Sequence, residues 1–161
     1  MNSMKLGVMK ELPSNNNSPS YIPYNDRFIM GGNGIPYGNV LRGYDDNRVG
    51  PLTSTGNPIG GNTLVKFSTE FRVPFAENPV VYGMVFAEMG NVWSSTDLME
   101  RLSLPRSGPL DLKRSVGVGV RFFMPMIGML GFDFARGFDR VDINGKLKPE
   151  WKTTLTFGQQ F

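Results

Sequence analysis

Along much of the second half of the chain, apolar and polar positions alternate with a period of two. Between Asn62 and Phe75 the odd positions are Val65, Phe67, Thr69, Phe71, Val73 and Phe75. The even positions are Leu64, Lys66, Ser68, Glu70 and Arg72. Between Lys113 and Met124, Val116, Val118, Val120, Phe122 and Met124 alternate with Ser115, Gly117, Gly119, Arg121 and Phe123. The stretch Trp151–Phe161 sets Trp151, Thr153, Leu155, Phe157, Gln159 and Phe161 against Lys152, Thr154, Thr156, Gly158 and Gln160. A period of two is the signature of a strand with two unlike faces. Six strands are expected: Lys5–Leu12, Asn62–Phe75, Val80–Trp93, Lys113–Met124, Ile127–Phe138 and Trp151–Phe161. The first is weak, and Val80–Trp93 has mixed faces.

Length and spacing sharpen this expectation. The five later strands hold about 11 to 14 residues each. A tilted strand crosses the hydrocarbon of a membrane in roughly 9–11 residues, whereas strands of soluble sandwiches run nearer five or six. Tight connections at Ala76–Pro79 and Pro125-Met126 alternate with long ones at 12–61, 94–112 and 139–150. In an antiparallel sheet this puts all tight turns on one side, as in outer-membrane barrels. Phe75, Phe122, Phe157 and Phe161 then fall near the tight-turn ends, and Trp93, Phe138 and Trp151 near the other. Two aromatic girdles suit two lipid–water boundaries. Lipid cannot satisfy a bare sheet edge, so spanning strands must close into a barrel, the smallest having about eight strands. The pattern therefore predicts an all-β, antiparallel transmembrane β-barrel of which this chain is a C-terminal portion. A soluble β-sandwich is the competing architecture.

Composition then removes classes of function. The 161 residues include 17 Lys plus Arg and 14 Asp plus Glu, a net charge of +3. That excess is dispersed and does not form the basic stripe expected of a nucleic-acid site. There is no Cys and no His, so disulfides, thiol nucleophiles and Ser–His–Asp triads cannot be built. Twenty Gly, twelve Pro and twelve Phe favour turns and strands. The longest near-apolar run, Phe122–Phe132, is broken by Pro125, Gly128 and Gly131 and is too short for a spanning helix. The start, Met1-Asn-Ser-Met-Lys-Leu-Gly-Val8, has no apolar core of the length a signal peptide needs.

The connection at 13–61 is odd for a surface loop. Phe28, Ile29, Met30, Ile35, Tyr37, Val40, Leu41 and Tyr44 are too apolar for free solvent. A connection of about 50 residues in a compact structure is disordered or functional, and this one reads as packed into a barrel interior. Its sequence Leu41-Arg42-Gly43-Tyr44 resembles the loop motif (Val/Ile/Leu)-Arg-Gly-(Phe/Tyr) of the BamA-type outer-membrane assembly proteins, the bacterial surface antigen family. Gly31-Gly32, Asp45–Pro51, Ser68–Pro74, Phe86–Trp93 and Arg114–Arg121 resemble that family in the same order.

The resemblance implies the end of strand 11, loop six and strands 12 to 16 of a sixteen-stranded barrel. Residues 1–12 would be the partial strand, 13–61 the lumen-inserting loop and 62–161 five strands, with periplasmic repeat domains absent. It implies that Arg42 meets acidic residues on the barrel wall, at the matching positions Glu70 and Glu88. The family usually has Asp where Glu88 stands. Glu70 is also supported by parity, since it shares the polar face with Lys66 and Arg72. A guanidinium can bond a carboxylate through two N–H groups. The resemblance further implies that the last strand pairs weakly with the first, that Gly158 bends it inward, and that Phe157 and Phe161 form a C-terminal assembly signal.

The expected function is a factor that folds and inserts β-barrel proteins into the cell outer membrane. Its partners would be unfolded outer-membrane barrel proteins, accessory lipoproteins and the lipid bilayer, with no nucleic acid. No enzymatic group, cofactor or metal is expected. The alternatives are a two-partner-type secretion transporter and a passive porin-like channel. Asp142-Ile-Asn-Gly145 reads as a turn rather than a calcium loop, and Gly31–Gly34 lacks the Lys-Ser/Thr of a phosphate cradle. Asp133, between Phe132 and Phe134, is expected on the interior face.

Overall fold

The computed structural model describes residues 1–10, 22–34, 37–94, 108, 111–125, 128–141 and 146–157. Six strands, β1 (Asn2–Val8), β2 (Thr63–Glu77), β3 (Val80–Trp93), β4 (Lys113–Met124), β5 (Gly128–Gly137) and β6 (Trp151–Phe157), form one antiparallel sheet. Sheet order equals chain order, so every connection joins neighbours. Among the described residues there is no α-helix, only a 3₁₀ turn at Tyr24–Asp26.

The strand boundaries differ from expectation at several ends: β1 stops at Val8 and β5 at Gly137. The β2–β3 hairpin is tighter than a four-residue turn: pairing continues through Ala76 and Glu77, leaving Asn78-Pro79 as the turn. The register shifts between Pro74 and Ala76, where Pro74 has no N–H to give the ladder. Strand β1 begins earlier than Lys5, because Asn2 already pairs with Thr69. Ile35, Gly158–Phe161 and the Asp142–Gly145 turn lie outside the described residues.

The two faces differ as the alternation requires. Phe71, Val85, Val118 and Phe134 stand in one cross-strand row and are 70%, 57%, 50% and 45% exposed. Met4, Leu6, Val73, Val120, Phe132 and Leu155 extend this exposed face. In water, a contiguous apolar face of this size drives association; against lipid it is the ordinary surface of a barrel strand. Phe122 stacks on Phe132, and Phe134 on Trp151.

The opposite, inner face is covered by the segment 28–61. Met30, Leu41, Tyr44 and Val49 of that segment pack on Leu64 of β2 and Val92 of β3, with Phe28 against them. Bridges Met30–Val49, Gly32–Leu41 and Phe28–Gly61 fold the segment back on itself. This explains the mixed pattern of β3. Met84, Phe86 and Val92 are buried on the same face as Glu88, because a packed segment rather than solvent lies over them. Tyr37 departs from expectation: it is 90% exposed and takes no part in this packing.

Candidate functional site

Arg42 sits on the inner face with only 4% of its surface exposed. Its Nη2 donates to Glu70 Oε1 on β2 at 2.7 Å and to Glu88 Oε1 on β3 at 2.8 Å. Its backbone N–H donates to Glu88 Oε2 at 2.9 Å. Nη1 lies 3.5 Å from Met84 Sδ and 3.7 Å from Asp133 Oδ1 on β5. The guanidinium carbon is 3.5 Å from the centre of the Phe86 ring, a cation over an aromatic face. The two acids named from sequence are thus brought to the arginine, and a third carboxylate with them. Burial alone would disfavour the charged guanidinium, but Glu88 and its acidic neighbours outweigh that and raise its pKa above the ordinary value.

Each of these acids also has a cation of its own on the wall. Arg72 donates to Glu70 Oε2 at 2.6 and 2.9 Å. Lys66 lies 3.1 Å from Glu88, which also accepts from Ser68. Arg121 of β4 grips Asp133 through two bonds, at 2.7 and 2.8 Å. Four cations therefore share three carboxylates. Without Arg42 the wall is balanced.

The sheet makes room for this cluster with glycine. The Val116-Gly-Val-Gly-Val120 alternation puts valine outside and Gly117 and Gly119 inside. A Cβ on Gly117 would meet the Phe86 ring, and one on Gly119 would meet the Asp133 carboxylate. Gly43 has φ +86°, and a Cβ there would come within 2.9 Å of the Gly137 nitrogen and 3.0 Å of the Arg136 carbonyl carbon on β5. Glycine adopts that conformation without steric cost and lets two backbones touch.

A family model of the Omp85 superfamily domain matches residues 3–161. The chain belongs to the Omp85 superfamily. Members are outer-membrane β-barrels, and the superfamily covers factors that insert outer-membrane proteins as well as secretion transporters. In this Omp85 domain the motif residues do different jobs. Leu41 is fully buried in the apolar cluster, Arg42 enters the acid cluster, and Gly43 rests on β5. The Tyr44 hydroxyl donates to the Arg114 carbonyl at 2.8 Å and accepts from the Asp139 N–H at 3.3 Å. Burial pushes its phenol well above its ordinary pKa.

Beyond the motif, Asp45 of the Omp85 domain bonds Lys152 of β6 at 2.6 Å and Arg140 at 2.8 Å. Burial pushes the Asp45 carboxyl up, but Lys152 and Arg140 outweigh it and hold it below the usual range. Asp139 is likewise held low by the Arg114 guanidinium. Sequence reasoning missed Lys66, Phe86 and Arg121 as parts of the site and treated Asp133 only as an interior residue. A signal was present: Arg121 and Asp133 are both charged residues on the face opposite a row of Val and Phe. The Gly31–Gly34 stretch proves to be a turn closed by Asp46, which accepts from the Asn33 N–H at 3.0 Å. Of the terminal-strand positions, Phe157 ends β6 as Leu130's partner, while Gly158 and Phe161 lie outside the described residues.

Proposed function

We propose that this Omp85 domain is the barrel portion of a BamA-type factor, which folds and inserts β-barrel proteins into the outer membrane. One observation carries the reading: a motif-bearing segment is held by Arg42 on the inner face of a sheet whose other face is exposed and apolar. The stretches Ser68–Pro74, Phe86–Trp93 and Arg114–Arg121, which resemble that group, supply the walls of this arrangement. The function needs surfaces rather than a reactive group. Lipid on one face holds the sheet, a docked segment on the other holds its shape, and a strand edge offers backbone pairing to an incoming strand. No catalytic residue, metal or cofactor enters this scheme. Unfolded barrel proteins are its substrates, and lipoproteins its accessory partners.

The test is insertion of a reporter barrel into lipid vesicles by the full protein. Arg42→Glu is expected to slow insertion at least tenfold, since it sets a fourth carboxylate among Glu70, Glu88 and Asp133. Arg42→Glu combined with Glu70→Arg, or with Glu88→Arg, is expected to recover part of the rate. If neither combination recovers any, the arginine–acid dock is not part of the mechanism. Passage of a soluble passenger across the vesicle membrane, with no barrel insertion, would replace this reading with a secretion transporter.

A further inference from the structure

Residues Arg42–Asp45 cross the sheet rather than running along it. Arg42 holds Glu70 on β2 and Glu88 on β3. Gly43 lies against Gly137 of β5, and Tyr44 bonds the Arg114 carbonyl of β4. Asp45 holds Lys152 of β6. From β2 to β6 is four strand spacings, about 19 Å at ~4.8 Å each. Four extended residues cover only about 10 Å between their Cα atoms. The long side chains of Arg42 and Lys152 supply the remainder, one at each end.

Strand β6 is where such a strap matters. It is the last strand of the sheet and pairs only with β5 among the described residues. Among the described residues its pairs with β5 run from Trp151 to Phe157. Its inner face presents Lys152, Thr154 and Thr156, and Lys152 bonds Asp45 of the segment that covers the sheet. Arg140, in the β5–β6 connection, bonds the same Asp45 carboxylate and Glu150. Both ends of that connection are therefore tied to one residue of the segment.

We infer that Asp45 is a positioning residue that fastens the edge strand β6 to the motif segment, so that release of the segment and loosening of the edge are one event. The strap itself is independent of what the barrel does. Its use, gating the edge for an incoming strand, rests on the assembly reading above.

Two measurements on the full protein in lipid bilayers separate these levels. The first is hydrogen exchange of the β6 amides in Asp45→Asn, Lys152→Gln and the double variant. A partly exposed charge pair predicts roughly two- to fivefold faster exchange in Trp151–Thr153 for each single variant. The double variant should be no faster than Asp45→Asn, because the Asp45–Lys152 pair is already gone there and Lys152→Gln has nothing further to remove. Lys113→Gln, which removes the pair between the first residue of β4 and Asp111 just before it, should leave β6 unchanged. Wild-type exchange in Asp45→Asn, or additive effects in the double variant, would overturn the strap. The second measurement is reporter insertion by the same variants. If β6 exchange rises but the insertion rate does not change, the strap stands and its gating use falls.

Discussion

The charge balance of the acid cluster makes an unequal prediction for its members. Glu88→Gln keeps the shape of the side chain, which is 1% exposed, but leaves Arg42, Lys66, Arg72 and Arg121 facing only Glu70 and Asp133. Lys66 loses the carboxylate 3.1 Å away and Arg42 the one 2.8 Å away. Removing one partner of a buried ion pair costs about 3–5 kcal/mol. The glutamine oxygen can still accept from the Arg42 N–H, so about 3 kcal/mol is the appropriate end, over a hundredfold in an opening equilibrium. Arg42→Met leaves three matched pairs on the wall and lays an apolar chain over Phe86 and Met84. It gives up two charge-assisted hydrogen bonds but no longer desolvates a guanidinium, so its cost is about 1 kcal/mol, roughly fivefold. The assay is hydrogen exchange at Met30, Leu41 and Val49, the segment's own members of the apolar cluster against β2 and β3. Glu88→Gln should open the segment at least tenfold more than Arg42→Met. If Arg42→Met opens it as far as Glu88→Gln or further, the wall is not balanced in the way the geometry implies.

Three other predictions follow from the same geometry. Asp133→Asn should lower stability by about 3 kcal/mol by stranding Arg121, whereas Asp133→Leu with Arg121→Met should recover most of that loss, read as a double-mutant cycle in chemical unfolding. Gly117→Val should cost about 1–3 kcal/mol, because its side chain would occupy the place of the Phe86 ring; Val118→Ile, one residue away on the exposed face, should change Tm little in the same heating series. Asp45 and Asp139 have folded-state pKa values below the ordinary carboxyl value, so their contribution is complete above about pH 4 and is lost as pH falls through the lower folded values. Exchange in β6 should therefore be level from pH 7 to about 4.5, once corrected for intrinsic rates, and rise only in stronger acid. A rise near pH 6 would contradict the assignment.

The outer face was legible in the sequence because lipid imposes one rule on it everywhere. From Val116 to Phe122 every second residue of β4 is valine or phenylalanine, and the strand expected at Lys113–Met124 has those limits. Arg42 and Glu88 were legible only through the spacing of the motifs around them, and Glu70 also through its place on the polar face of its strand. A lone arginine in a long connection is ordinarily a solvated charge. The cations that balance the acids were harder to find, since Lys66 and Arg72 look like any polar face of a strand, and nothing in their spacing tells which carboxylate they meet. Asp45 was harder still. Its partners Arg140 and Lys152 are 95 and 107 residues away in sequence, and only the order of the strands brings them within reach.

Strand β3 shows why the inner face resists a simple polar rule. A water-filled interior selects polar residues at every inward position, and a close-packed one selects apolar residues. Here the inner row passes from Tyr82, Met84 and Phe86 through Glu88 to Val92. The apolar members mark where Leu41, Met30 and the Arg42 guanidinium cover the wall, and the charged one marks the bond that fixes them there. The cover and its fastening must then act together. Weakening the ion cluster exposes Met84, Phe86 and Val92, while trimming those apolar contacts exposes charges that were desolvated at a cost. Such coupling favours two states, segment docked or segment away, over a graded range of partial contacts. That two-state character is what a device opening one edge of a sheet requires, and it places the stability of the docked state in side chains of the wall as much as in the four residues of the motif.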